Sequence, residues 1–187
     1  HCQELMLEWH IQHNAPAKVL EFGCGVGRHL RYVREIPDVD VHGYDQSPTM
    51  VAAIGEWAEP EWIAERVRVG EATGRLPYED KAFDIVYSAE VLIHIRPEDL
   101  AGRLSELLRI CRGHIYHLEP DEDWPVVSEE HDGCWAHDLS AAYEALGATC
   151  EALPRGYRSQ RPRLVRVDTD KPVRIMPAYL ANRLNAL

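Results

Sequence analysis

Val19 to Leu30 reads VLEFGCGVGRHL, three glycines within five residues between an apolar run and a basic, helix-compatible one. Lys18–Phe22 fits a buried strand and the residues from Gly27 onward fit a helix, so the glycines mark the turn between them. Glycine permits positive φ and lets the backbone approach a neighbour without a Cβ in the way. In an open α/β sheet, ligands bind beyond the carboxyl ends of the strands, and the first strand-to-helix turn is a usual contact. The spacing here is E-x-G-x-G-x-G, formed by Glu21, Gly23, Gly25 and Gly27. A dinucleotide fingerprint G-x-G-x-x-G would place its third glycine where Arg28 stands, which counts against a nicotinamide-dependent dehydrogenase. An acid at Glu21 would repel a phosphate but suits a ligand carrying an ammonium group.

Outward from this turn, apolar segments alternate with amphipathic ones in a βαβ rhythm. The pattern predicts a helix over Gly27–Arg34 and a second strand over Val39–Asp45. Ser47 as N-cap and Pro48 at the first helical position open a helix to about Trp57, followed by a short strand at Arg66–Val69. Phe83–Ser88 is the fourth strand, Arg96–Arg112 an amphipathic helix started by Pro97, and His114–Leu118 the fifth strand. A helix over Leu139–Leu146 closes at Gly147, and Ala148–Leu153 and Leu164–Val167 form two strands joined by the turn-rich PRGYRSQRP. The order predicts an α/β fold: a doubly wound, mainly parallel, seven-stranded, Rossmann-like sheet ending in a C-terminal antiparallel hairpin.

With 187 residues and 45% hydrophobic content, the chain is expected to form one domain over residues 1–187. Its apolar runs fall well short of the roughly 20 residues a membrane span needs, and the opening residues lack a basic-then-apolar leader pattern. The expectation is a cytoplasmic protein with no membrane association. Five cysteines in no CxxC or framework spacing fit a reducing compartment. A formal charge of −11 argues against a nucleic-acid partner. Arg155, Arg158, Arg161, Arg163 and Arg166 crowd near the C-terminus, either as a local basic patch or as the solvent face of strands.

A second motif, GYDQS from Gly43 to Ser47, ends strand 2 with Asp45, about 20 residues past the first turn, where a ribose-binding acid is expected. Alone, Asp45 could equally be a helix-start acid stabilised by the macrodipole.

With both motifs in place, the chain resembles the class I S-adenosylmethionine-dependent methyltransferases from about Val19 to Leu118. LEFGCGVG is similar to the family's first motif, whose backbone lies against the methionyl part of the cofactor, and GYDQS is similar to the second. The resemblance implies Asp45 on the ribose and Gln46 beside the adenine. VGEATGRLPYEDKAFDIVYSAEVLIHI, Val69 to Ile95, resembles the third and fourth motifs, with Glu71 and Ala72 at the adenine edge and Ser88 to Glu90 near the methionyl group. The family aspartate is replaced by Glu71. The expected division is a cofactor half over about 15–95, an acceptor side over about 90–138 and the hairpin over about 148–168.

Such a site displaces a methyl group in line from a sulfonium, leaving S-adenosylhomocysteine. A hydroxyl acceptor additionally needs a base. His94, in SAEVLIHIRP, is the first candidate, with packing or capping as its alternative; Glu90 and His117 follow. Glu90 either orients cofactor or acceptor, or is a solvated acid four residues from His94. After strand 5, a long loop rich in acids and aromatics carries Trp124, His131, Trp135 and His137, read as an acceptor-binding cover, with metal binding and plain structure as alternatives. No specific metal-ligand spacing is present, so no metal is assigned. The expected function is methyl transfer to a small-molecule acceptor, at a sugar or natural-product hydroxyl. N-methylation of an amine or protein side chain and a non-catalytic cofactor-binding module are the alternatives. Oligomeric state is not encoded in any motif.

Overall fold

The computed structural model describes residues 2–120, 133–153 and 160–185. Its elements run α1 (Cys2–Asn14), β1 (Lys18–Phe22), α2 (Leu30–Val33), β2 (Asp40–Asp45), α3 (Pro48–Ala53), a 3₁₀ turn (Ile54–Glu56), α4 (Pro60–Arg66) and β3 (Val67–Val69). They continue with β4 (Phe83–Ala89), a second 3₁₀ turn (Leu92–His94), α5 (Pro97–Ile110), β5 (Cys111–Pro120), α6 (Leu139–Ala145), β6 (Cys150–Ala152), β7 (Gln160–Arg166) and α7 (Ala178–Asn185). The seven strands form one sheet in the order β3-β2-β1-β4-β5-β7-β6. β1 to β5 are parallel, and β7 runs antiparallel to both β5 and β6. The chain winds outward from β1 to β3, then returns to β4 on the other side of β1. That reversal opens a crevice at the carboxyl ends of β1 and β4.

Helices cover both faces, so the central strands are apolar on both sides. Period-two alternation sends Val19, Ile85, Tyr87, Tyr116 and Leu118 into one core with Met6, Leu7 and Ile11 of α1. Leu20, Phe22, Val86 and Ile115 enter the other, against Leu100, Leu104, Leu107 and Ile110 of α5 and Tyr143 of α6. The α5 residues recur at helical spacing, which makes one face of that helix apolar.

Several expected signals hold. Ser47 Oγ accepts from the Met50 amide with Pro48 at the first helical position, and Gly147 ends α6 at φ +77°. The expected Gly27–Arg34 helix shrinks to Leu30–Val33, because Gly27 sits at φ +73°, a left-handed conformation no helix interior admits. Helices α1, α4 and α7 come in addition to the elements the pattern predicts. In α1 the buried face includes Gln3, Glu4 and His10 among its apolar residues, which hides the periodicity. The basic patch is also revised: Arg163 is buried on β7, an interior strand, and Arg166 pairs with Glu151 at 2.9 Å. Arg155 and Arg158 lie outside the described residues. Among the described residues, no helix is long and apolar enough to cross a membrane.

α1 is fastened to the sheet by a shared proton. His10 Nε2 and His114 Nε2 are 2.7 Å apart and buried, and the His10 ring stacks on Tyr116 at 4.0 Å. One ring must donate and the other accept, and burial disfavours charge on either, so the pair is neutral. Burial holds His10 well below the usual imidazole range and, with Arg166 nearby, lowers His114 to about 4. The unfolded chain takes up protons below about pH 6.5 while the folded pair resists them. The stability from this pair is therefore present above about 6.5 and lost as pH falls toward about 4. Hydrogen exchange corrected for intrinsic rates should show α1 amides opening faster across that window while β4 amides hold. Equal protection of α1 at both ends would refute the assignment.

Candidate active site

At the carboxyl ends of β1, β2 and β4 lies a cavity of about 280 Å³. The β1 turn contributes Phe22, Gly23 and Gly25, β2 contributes Tyr44 and Asp45, and Gln46, Ser47, Met50 and Ala72 complete that side. Ala89, Glu90, Val91, His94 and Ile95 form the opposite wall.

The glycines of the first turn have three different reasons to be glycine. A Cβ on Gly25 would meet nothing nearer than Met50 Sδ at 3.7 Å, so the space beside it is the cavity itself. A Cβ on Gly23 would overlap the Val91 side chain at 2.3 Å, and one on Gly27 would overlap the Trp57 ring at 2.5 Å. Gly27 does not line the cavity; it makes room for Trp57, whose Nε1 donates to Val26 O at 3.1 Å. Asp45 ties the turn to β2: Oδ2 accepts from the Gly25 amide at 2.7 Å and Oδ1 from the Ser47 amide at 2.8 Å. A carboxylate has about four acceptor sites, so capacity remains for hydroxyl donors in the cavity.

Glu21 sits beneath the turn, not in the wall. Its carboxylate accepts from His29 Nδ1 at 2.8 Å and Tyr87 Oη at 3.1 Å, and it is almost wholly buried. Arg28 Nη2 reaches His29 Nε2 at 3.3 Å and donates to Gln3 Oε1 of α1 at 2.7 Å. Since Arg28 can only donate, Nδ1 of His29 carries the proton that faces Glu21. At the other end, Ala72 lines the cavity while the Glu71 side chain is exposed outside it. The Glu71 carbonyl accepts from Tyr44 Oη at 2.8 Å, and the Ala72 carbonyl accepts from the buried Arg103 guanidinium, which stacks 5.1 Å from the Phe22 ring centroid.

In the opposite wall, Glu90 adopts φ +58°, a left-handed conformation that a non-glycine residue holds only under constraint from its surroundings. His94 is exposed, with Nδ1 3.6 Å from Cys134 Sγ. His117 and Ser88 are displaced from their expected places. Both are fully buried behind the wall, and the His117 nitrogens are engaged by Ser88 Oγ at 2.8 Å and Tyr143 Oη at 2.7 Å. Burial, with Arg163 nearby, lowers the His117 imidazole to about 3. Alternation along β4 and β5 turns these two side chains toward α6, away from the cavity. Trp135 and His137 are not in the wall either. The Trp135 amide donates to Ile93 O at 2.7 Å, and His137 Nε2 donates to Leu92 O and Ile95 O, both at 3.0 Å, so they buttress the turn that presents His94. Trp124 and His131 lie outside the described residues. Among the described residues, no group of three or more His, Cys, Asp or Glu side chains is placed to hold a metal ion.

The family model described as a methyltransferase domain matches residues 19–114, about half of the chain, and spans every strand that builds the cavity. The chain belongs to the class I S-adenosylmethionine-dependent methyltransferases. This methyltransferase domain is 29% identical over 110 residues to sterol 24-C-methyltransferase ERG6B of Gibberella zeae, covering 56% of the chain and 28% of that protein. It is 37% identical over 79 residues to phosphoethanolamine N-methyltransferase 3 of Arabidopsis thaliana, covering 42% of the chain and 16% of that protein. The matched stretch thus spans less than a third of each of these relatives. Its fold matches that of the PH0226 protein from Pyrococcus horikoshii with a TM-score of 0.68 at 21% identity, covering 88% and 89% of the two chains. The cavity of the methyltransferase domain fits the family's donor, S-adenosylmethionine, on its own geometry. There is open space at Gly25 where a Cβ would stand, Asp45 offers free acceptor capacity, and Phe22, Met50, Ala72 and Ala89 supply apolar surface.

Proposed function

We propose that the chain transfers a methyl group from S-adenosylmethionine to the hydroxyl of a small-molecule acceptor, a sugar or natural product, with His94 as general base. When bound, the donor supplies an electrophilic methyl on a sulfonium that is already a good leaving group. The protein is left to position, to exclude water and to take up a proton. Asp45, Gln46 and Ala72 are assigned to the ribose and adenine, and the Gly23–Gly25 backbone to the methionyl part. Glu21 acts indirectly, holding that turn through His29. The observation that carries the reading is the exposed imidazole of His94 in the wall of the same cavity as Asp45. An amine acceptor is the second reading, favoured by the exposed carboxylate of Glu90 in the same wall and by the phosphoethanolamine relative.

Calorimetry with S-adenosylmethionine, S-adenosylhomocysteine and NAD tests the donor, and a panel of hydroxyl and amine acceptors tests the chemistry. Both adenosyl ligands are expected to bind and NAD not comparably. Asp45→Ala should weaken them by about 1.5–3 kcal/mol, the worth of charge-assisted hydrogen bonds. Unchanged affinity in that variant would remove Asp45 from the site.

A further inference from the structure

Behind the wall that carries Glu90 and His94 runs a buried polar chain that no step of the proposed reaction uses. It links Tyr143 of α6, His117 of β5, Ser88 of β4 and Glu119 of β5, none more than 3% exposed. Tyr143 Oη lies 2.7 Å from His117 Nε2, His117 Nδ1 lies 2.8 Å from Ser88 Oγ, and Ser88 Oγ lies 2.6 Å from Glu119 Oε1. At the far end, Glu119 Oε2 accepts from the Val91 amide at 3.0 Å and the Leu92 amide at 3.2 Å. These are the residues that open the turn ending in His94. Trp135 and His137 hold the carbonyls of this turn, and Glu119 holds its amides.

We propose that Glu119 is the positioning residue of this wall, and that its protonation state sets the direction of every hydrogen bond in the Ser88–His117–Tyr143 chain. An ionised Glu119 can only accept. Ser88 then donates to it, His117 Nδ1–H donates to Ser88 Oγ, and Nε2 accepts from Tyr143. When Glu119 takes up one proton on Oε1, it donates to Ser88, Ser88 donates to Nδ1, and the imidazole proton stands on Nε2, facing Tyr143 Oη. The ring stays neutral throughout and changes tautomer. One proton enters from water, and no other group changes charge.

The surroundings put this switch in a useful range. Burial pushes the Glu119 carboxyl up to about 7, with Glu90 raising it further against the bonds from Ser88, Val91 and Leu92. The facing groups are Glu90 on the loop, neutral Ser88 on β4 and Tyr143 on α6. Arg163 on β7 acts on His117 and, with burial, keeps that ring from charging. An ionised acceptor forms roughly twice as strong a hydrogen bond as a neutral one, so the amides are held more firmly above this range than below it. The consequence for turnover rests on the assignment of His94 above; the hydrogen-bond switch does not.

NMR of ¹⁵N-labelled protein from about pH 5 to about pH 9 reads both ends of the chain. The Val91 and Leu92 amide signals should shift with one midpoint near 7, and the His117 nitrogens should exchange their protonated and bare signatures at the same midpoint. In Glu119→Gln both responses should vanish. In Ser88→Ala the amides should still titrate while His117 no longer follows them. Wild-type amides that stay flat, or a His117 switch that survives in Ser88→Ala, would overturn the proposal, and neither result depends on the glutamine variant folding. Where transfer activity is measured, Glu119→Gln should lose one inflection of the kcat–pH profile with cofactor affinity unchanged; a profile that keeps every inflection would count against the proposal. A wild-type chain with no transfer activity would sink the functional reading and leave the NMR result standing.

Discussion

Replacing Gly25 by valine is expected to abolish binding of S-adenosylmethionine and leave a folded protein. The Cβ of the new side chain meets no protein atom closer than Met50 Sδ at 3.7 Å, and Gly25 lines the cavity, so the side chain takes up space there. Its left-handed backbone, φ +52°, costs about 1–2 kcal/mol, which a domain of ordinary stability tolerates. Gly27→Ala should do the reverse. Its Cβ would strike the Trp57 ring at 2.5 Å, adding overpacking of about 1–3 kcal/mol to the strain, while the cavity wall is untouched. Thermal melts and calorimetry on the two variants should therefore separate: one loses binding, the other loses melting temperature. Equal affinity of Gly25→Val and wild type would remove this turn from the cofactor site.

His94→Ala is expected to lower turnover by about 10²–10⁴-fold, the usual worth of a positioned base, with little change in cofactor affinity. The side chain is exposed and its ring is engaged by the long contact to Cys134 Sγ at 3.6 Å, so truncation removes little packing. Steady-state kinetics on the hydroxyl acceptor, beside a melt, make the distinction. A variant that melts early yet turns over normally when folded would mark His94 as structural and move Glu90 forward.

The sheet could be read because its signals are local. Ser47-Pro48, Pro97 and Gly147 mark helix ends by fixed backbone chemistry, and the apolar runs between them mark strands. What failed depended on facing. Glu21 was legible as the acid before the glycines, but alternation along β1 puts it on the Val19 side, under α1 and α2, where it meets His29 and Tyr87. The same alternation takes Ser88 and His117 to the α6 side of the sheet. Spacing names the turn that touches a ligand; only the partner helices decide which side chains share it. Glu119 stands in no motif of the sequence: it is a lone acid at the end of the run HIYHLEP, and only the packing around β5 shows it buried.

The place of β7 between β5 and β6 has a consequence for biosynthesis. β5 is ten residues long, largely buried, and pairs on one side with β4, which is made before it. Among the described residues, its other side, His114 to Pro120, pairs with residues 160–166. A growing chain must therefore carry the apolar segment HIYHLEP with an unpaired edge while some forty more residues are added, about 2–8 s at ordinary elongation rates. Such an edge is a template for pairing with another nascent chain. The strands that build the cofactor cleft are complete well before this point, and the late antiparallel strand is what withdraws the free edge of β5 from its neighbours on the ribosome.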